Sequence, residues 1–363
     1  MNAFIVAAAR TLIAPKGGLF KETPLHELAA SVLRMVAQGR TPESVILGNA
    51  LGAGGNPARV GAIAAFGVGI SALTVDTQCC SGMDAIALAA DRVTGIDRAA
   101  SVIAGGVESF SMAPARFRQT PQGLVAYEQA QFAPHPDHDP NVLQAAQQFA
   151  IDHCISRKDQ EAYAVASHDK ARRSFAQDPY ARRLTPAICA RMAPLVSLGH
   201  RHPEHAMTAA TMAPQADAAA ALLVVNQQAL RTVYRHDRFA AMEIVATAQA
   251  GGSSIQPALA GVTAAQRLLA PLSSRERAKI ACVELMESFS AQAIHNQRVL
   301  GFSEAQVNRD GGLLARGHPI GASGAILVGN LFYQLQGEPS GSLGLALIPA
   351  AGGIGSAILL RKP

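Results

Sequence analysis

The chain has 363 residues, 49% hydrophobic and 16% charged, with 32 glycines, 20 prolines and a net charge of +5. This length exceeds one ordinary core, so two domains or one duplicated architecture are expected, and the composition excludes a long disordered segment. Aromatic residues at 5%, with no tryptophan, weaken any reading as a base-stacking nucleic-acid binder, and the basic residues form no long block, so no nucleic-acid partner is expected.

In chain order, Phe4 to Ala8 reads as a first strand and not as a signal peptide, because no positive region precedes it and no cleavage-like site follows. A helical pattern at Leu25 to Gln38, a strand at Ser44 to Gly48, a β-like run at Leu73 to Asp76, a helix at Met83 to Val93 and a strand at Ala100 to Ala104 follow. Such alternation gives α/β units. Between 116 and 206 the texture changes to His135-Pro136-Asp137-His138-Asp139-Pro140, a helix from Ser156 to Phe175, and Arg- and Pro-rich sequence. This segment reads as an insertion carried by the first half, and insertions on rigid scaffolds commonly shape ligand sites. Its arginines, Arg172-Arg173, Arg182-Arg183, Arg191 and Arg201, either meet the phosphates of a nucleotide-bearing ligand or are solvated helix faces.

Strands at Ala219 to Val225 and Glu243 to Ala248 come next, then a helix from Ala322. Ser342 to Leu360 is uncharged and long enough to cross a membrane, but Pro349 and Gly352-Gly353-Ile354-Gly355 interrupt it. Two buried strands, Leu343 to Ile348 and Ser356 to Leu360, explain it better, and no membrane partner is expected. Five cysteines without a Cys-x-x-Cys or Cys/His spacing argue against disulfides and against a metal site. With no peroxisomal or retention signal at Arg361-Lys362-Pro363, the expectation is a soluble cytoplasmic protein.

Two internal echoes suggest duplication. Cys80 to Leu88 resembles Ala322 to Gly329, and Val102 to Ser109 resembles Ile348 to Gly355, at similar offsets. Chemistry concentrates at Gln78-Cys79-Cys80-Ser81-Gly82 and at Gly317-His318-Pro319-Ile320-Gly321-Ala322-Ser323-Gly324. Cys79 follows a β-like run and precedes an apolar helix, so free amides and the helix dipole are expected to lower its pKa and to hold an oxyanion. The alternative is a buried, inert cysteine. His318, in a glycine-rich turn before a helix, is a candidate base that takes the proton of that thiol.

The chain resembles the thiolase family nearly end to end. The resemblance is carried by Ala8-Ala9-Arg10-Thr11, Gly48-Asn49-Ala50-Leu51-Gly52, Asn56-Pro57-Ala58-Arg59, Thr74 to Gly82, Ala104 to Ser111, Ile155-Ser156-Arg157 with Ala164 to Ser167, and Asn308 to Gly324. It implies a thiolase-like α/β fold of two duplicated βαβαβαββ halves in αβαβα layers with an inserted loop domain. The expected division is 1–115 plus 207–240 for the N-terminal half, 116–206 for a CoA-binding loop domain, and 241–363 for the C-terminal half. It also implies that Cys79 is acylated from an acyl-CoA, that His318 is its base, and that the backbone amides of Cys79 and Ala351 form an oxyanion hole. A homodimer or homotetramer is implied, and no cofactor beyond the coenzyme A thioester that serves as substrate.

Four positions depart from the family pattern. Met286, in Met286-Glu287-Ser288-Phe289, stands where the family has an Asn that helps hold a water, and a thioether cannot donate that hydrogen bond. Pro349 stands where the family has the Cys that exchanges a proton with the substrate α-carbon. Asp76 and Cys80 are milder changes, and Cys80 is the nearest substitute thiol in sequence. The expectation is a thiolase-like acyltransferase that loads Cys79 and passes the acyl group to an unidentified acceptor without proton abstraction at residue 349. The alternatives are an acetyl-CoA C-acetyltransferase with a replacement base and a catalytically degenerate acyl-CoA-binding subunit.

Overall fold

The computed structural model describes residues 2–96, 99–174, 179–180, 183–237 and 240–363. The first half runs β1 (Ala3–Arg10), α1 (Leu25–Ala37), β2 (Ser44–Gly48), α2 (Pro57–Phe66), β3 (Ser71–Val75), α3 (Ser81–Thr94) and β4 (Ser101–Glu108). Helices α4 (Val142–Asp152) and α5 (Arg157–Ser174) follow before β5 (Ala216–Asn226) returns to the sheet. The second half comprises β6 (Met242–Gly251), α6 (Ala260–Leu269), β7 (Ile280–Leu285), α7 (Ser290–Leu300), α8 (Ile320–Gln336), β8 (Leu343–Ala350) and β9 (Ile354–Arg361).

The strand order is β7-β8-β9-β6-β1-β5-β4-β2-β3. Read outward from the β1–β6 junction, each half repeats one pattern. β5 and β9 pair antiparallel with β1 and β6, β4 and β8 pair antiparallel with β5 and β9, and β2 and β7 pair parallel with β4 and β8. Among the described residues, parallel β3 on β2 has a single bridge, Val307 to Val283, as its counterpart.

Period-two burial divides the core into layers. Val45 and Leu47 of β2 pack with α1 and α2, whereas Ile46 faces the centre; Leu345 and Leu347 of β8 pack with α6, whereas Ala346 and Ile348 face the centre. The central layer is α3 and α8. α8 buries Gly321 to Val328 almost continuously, as a helix covered on all sides must.

The Ser342 to Leu360 stretch forms β8 and β9, and among the described residues no helix is long and apolar enough to cross a membrane. Pro349 lies inside β8, where the parallel pairing with β7 has already ended at Leu347, so that flank needs no amide donor from residue 349. The first sequence echo matches the topology, since α3 and α8 are equivalent. The second requires correction: β4 is the counterpart of β8, so Val102 to Ser109 matches the strand from about Gly344 and not the end of β8 and its turn, a shift of a few residues. The paired glycines of both stretches produced the false register.

Between β4 and β5 the chain leaves the sheet. Phe149 and Ile155 pack against Ala291 and Ile294 of α7, so the segment carried by the first half rests on the second. The helix expected from Ser156 to Phe175 is α5; Phe175 and Arg182 lie outside the described residues. Arg172, Arg173, Arg183, Arg191 and Arg201 are solvent-exposed.

Candidate active site

The strand-to-helix turn after β3 places Cys79. Gln78 adopts φ 55°, a left-handed conformation, and is held there by Asp76, whose Oδ1 accepts from the Gln78 amide and side chain, both at 3.0 Å. Ser81 Oγ donates to Gln78 O at 2.5 Å and accepts from Thr77 N at 2.9 Å. Asp84, buried on α3, accepts from Thr77 Oγ1 at 2.5 Å and from Ser356 Oγ of β9 at 2.6 Å, so the turn is braced from both halves.

The turn before α8 places His318. Gly317 has φ 120°, and a Cβ there would come 2.7 Å from Ala216 Cβ, so both conformation and space require glycine. His318 N donates to Pro214 O at 2.8 Å. Its Nε2 lies 3.2 Å from Cys79 Sγ, and its Nδ1 lies 2.6 Å from the Oγ of fully buried Ser323, one turn along α8. A sulfur and an imidazole that are 239 positions apart in sequence are thus in hydrogen-bond contact.

Electrostatics at this pair depart from the expected lowering at Cys79. Burial pushes the thiol from 9.0 up to about 12, and the charges of Glu108 and Asp76 push the same way, against the amides of Ala351 and Cys79. Burial lowers His318 to about 4. The amides of Ala351 and Cys79 do pull the thiol down, but desolvation outweighs them. The resting pair is therefore a neutral thiol and a neutral imidazole, poised for proton transfer during attack rather than before it.

The backbone amides of Ala351 and Cys79 lower the pKa of the Cys79 thiol. Two residues before Ala351, Pro349 is buried and pairs with Gly355. Met286 is fully buried in the central apolar cluster with Ile348, and its amide donates to Leu347 O at 3.0 Å. Apolar side chains thus occupy both altered positions. Cys80 is also fully buried; its Sγ lies 3.4 Å from Ile348 O and 3.9 Å from Ile354 O, and burial holds its pKa well above the usual value. It lies in the apolar core and so makes a poor substitute for a lost base.

Sequence reading assigned no role to Ser323, Glu108 or Glu287. Glu287, 1% exposed, accepts from Tyr163 Oη (3.0 Å), Ser167 Oγ (2.8 Å), Asn308 Nδ2 (2.6 Å) and Leu314 N (3.2 Å), tying α5 to the segment that leads to His318. A lone carboxylate ending an apolar strand, as in Val102 to Glu108, or closely following one, as at Glu287, was the available signal. Among the described residues, no group of three or more His, Cys, Asp or Glu is arranged to hold a metal ion.

Comparisons with known proteins agree with this fold. The family model "Thiolase, N-terminal domain" matches residues 3–194, and "Thiolase, C-terminal domain" matches residues 239–362. The chain is 32% identical to "Putative acetyl-CoA C-acetyltransferase YhfS" of Bacillus subtilis and 30% identical to "Putative acetyl-CoA C-acetyltransferase VraB" of Staphylococcus aureus, in each case over 99% of both chains. Among solved structures, the Acat5 thiolase from Ascaris suum in complex with coenzyme A superposes with a TM-score of 0.86 at 26% identity, covering 100% of both chains. The Bacillus anthracis acetyl-CoA acetyltransferase has the same fold, with a TM-score of 0.85 at 24% identity over 100% of this chain and 99% of that one.

Proposed function

Because this chain belongs to the thiolase family and is an acyltransferase, we propose that it loads an acyl group from an acyl-CoA onto Cys79 and transfers it to an acceptor that needs no proton removal by residue 349. The observation that carries this reading is the 3.2 Å contact between Cys79 Sγ and His318 Nε2 beside the Ala351 amide. As the sulfur attacks the thioester carbonyl, His318 Nε2 takes the thiol proton, and the amides of Cys79 and Ala351 receive the developing oxyanion. Collapse breaks the bond to the coenzyme A sulfur, and the imidazolium returns its proton to that leaving thiolate. An imidazolium with a pKa of about 4 is a strong acid for this step. Donation from Nδ1–H to Ser323 Oγ would leave the Nε2 lone pair facing the thiol.

Coenzyme A as the carrier is supported by the complex described for the Ascaris suum relative. We assign residues 116–206 to its binding, and we expect a homodimer or homotetramer, an expectation supported by the unpaired edge of β3, where Leu73 is exposed. Suitable acceptors are a decarboxylating β-keto acid or malonyl thioester, an electron-rich ring carbon, a thiol or an amine. Removing a positioned acid or base lowers a rate by about 10² to 10⁴, and Pro349 offers no titratable group for moving an α-carbon proton.

A second reading, acetyl-CoA C-acetyltransferase with a replacement base, is favoured by the names of the relatives. The burial of Cys80 weighs against the nearest replacement. Thiolysis of acetoacetyl-CoA at a rate typical of intact thiolases would establish this second reading. The primary test is incubation with labelled acetyl-CoA: wild type is expected to acquire covalent label and Cys79→Ala none. Equal labelling of both would overturn the proposal, and a wild type that takes no label would favour a degenerate acyl-CoA-binding subunit.

A further inference from the structure

Four glycines bring the two site turns together backbone to backbone. A Cβ on Gly48, at the end of β2, would come 2.5 Å from Gly82 N and 2.6 Å from Gly321 O. One on Gly82 would come 2.8 Å from the same Gly321 carbonyl, and one on Gly106 would come 2.0 Å from it. Contacts this short leave no room for any side chain. Gly82 and Gly321 stand at the same distance in sequence beyond Cys79 and His318, so this junction registers one turn against the other.

Glu108, at the end of β4, completes the junction. Its carboxylate is 1% exposed and accepts from Gly321 N (2.9 Å), Ala50 N (3.0 Å), Leu51 N (3.1 Å) and Asn49 Nδ2 (2.7 Å). Every partner is a donor, so the ionised carboxylate is the form this geometry fits.

We propose that Glu108 is a positioning residue for acylation of Cys79: its carboxylate ties the first turn of α8 to the Asn49–Leu51 loop and thereby holds His318 against the sulfur. The proposal rests on the reading of Cys79 as the acylated residue, although Glu108 itself acts through Gly321. The groups around it are Asp76 and the Cys79 thiol from the turn before α3, from the loop side Arg116, whose guanidinium holds Ala50 O at 2.8 Å, and, three residues before Gly321 in the turn ahead of α8, His318. Burial pushes the Glu108 carboxyl up to about 7, against the amides of Ala50, Gly321 and Leu51. As the pH falls through that range the carboxylate gains a proton that faces only donors, and the tie to Gly321 weakens.

The test is the rate at which iodoacetamide alkylates the Cys79 peptide between about pH 5 and pH 9, in wild type and in Glu108→Gln. Wild type is expected to show a step near pH 7 on top of the slow rise due to the sulfur. In the variant the step is absent and the rate at the alkaline end is roughly tenfold lower, with a melting temperature close to wild type. A wild-type profile without the step, or a step that survives in the variant, overturns the proposal. If Glu108→Gln does not fold, wild type labelled with ¹³C-histidine decides instead: the His318 Cε1 resonance is expected to move near pH 7 while the ring stays neutral, and a resonance that does not move there overturns the proposal. Alkylation requires no acyl acceptor, so this result is independent of whether acyl transfer itself is observed.

Discussion

β4 and β8 occupy equivalent places in the two halves, yet they end in opposite chemistry. β4 closes on Glu108, a buried carboxylate with four hydrogen-bond donors, whereas β8 closes on Pro349 and Ala350 and offers the site no titratable side chain. The duplication therefore supplies a common scaffold, and each strand end determines one part of the chemistry. The polar end, tied to Gly321, is the one proposed above to keep sulfur and imidazole in contact, and the apolar end presents only backbone. On the proposed reading acyl loading and α-carbon proton transfer are separable, because Cys79 and His318 are in contact while the side chains at 286 and 349 are apolar.

Of the site residues, His318 is expected to be the most sensitive to substitution. His318→Ala is expected to slow Cys79 acylation by about 10² to 10⁴, measured as single-turnover release of coenzyme A. A rate within a factor of two of wild type would mean that the imidazole is a bystander. Rebuilding the apolar end is expected to give the next largest effect: Met286→Asn combined with Pro349→Cys should raise acetoacetyl-CoA thiolysis by roughly tenfold or more and leave the loading half-reaction unchanged. No gain, with loading intact, would show that the two ends are not separable in this way. Ser323→Ala removes the Nδ1 partner and should slow acylation by about three- to tenfold, the value of one hydrogen bond of about 1 kcal/mol.

The smallest effect concerns stability. The folded state lowers His318 from 6.5 to about 4, so it favours the neutral ring. That contribution is fully present above pH 6.5 and is lost as the pH falls toward 4. The difference in melting temperature between His318→Gln and wild type should therefore shift by a few degrees in the variant's favour over this interval. Glu108 has the opposite sign, since its raised pKa means that stability present below 4.5 is lost as the pH rises through about 7.

Most of the scaffold was legible in the sequence because apolar alternation and glycine turns report directly on strands and helix starts. β7 was not, since Glu284 interrupts its apolar run; the structure buries that carboxylate against Asn330 and Gln334. Cys79 and His318 were legible through their turns, and the structure brings them together. The sign of the Cys79 shift was not, because desolvation depends on packing from both halves, whereas the dipole argument uses only the local helix. Glu108 lay within a quoted motif without an assigned role, since its partners come from residues 49–51 and 321, and only the fold assembles them.

In the proposed reaction Cys79 is loaded without proton transfer at the α-carbon of the acyl group. Incubation of the protein with acetyl-CoA in D₂O, followed by the mass of the Cys79 peptide, separates the two steps. An acetyl group on Cys79 whose methyl hydrogens remain undeuterated is the expected result. Deuterium in that methyl group, or a Cys79 that carries no acetyl group, would contradict it.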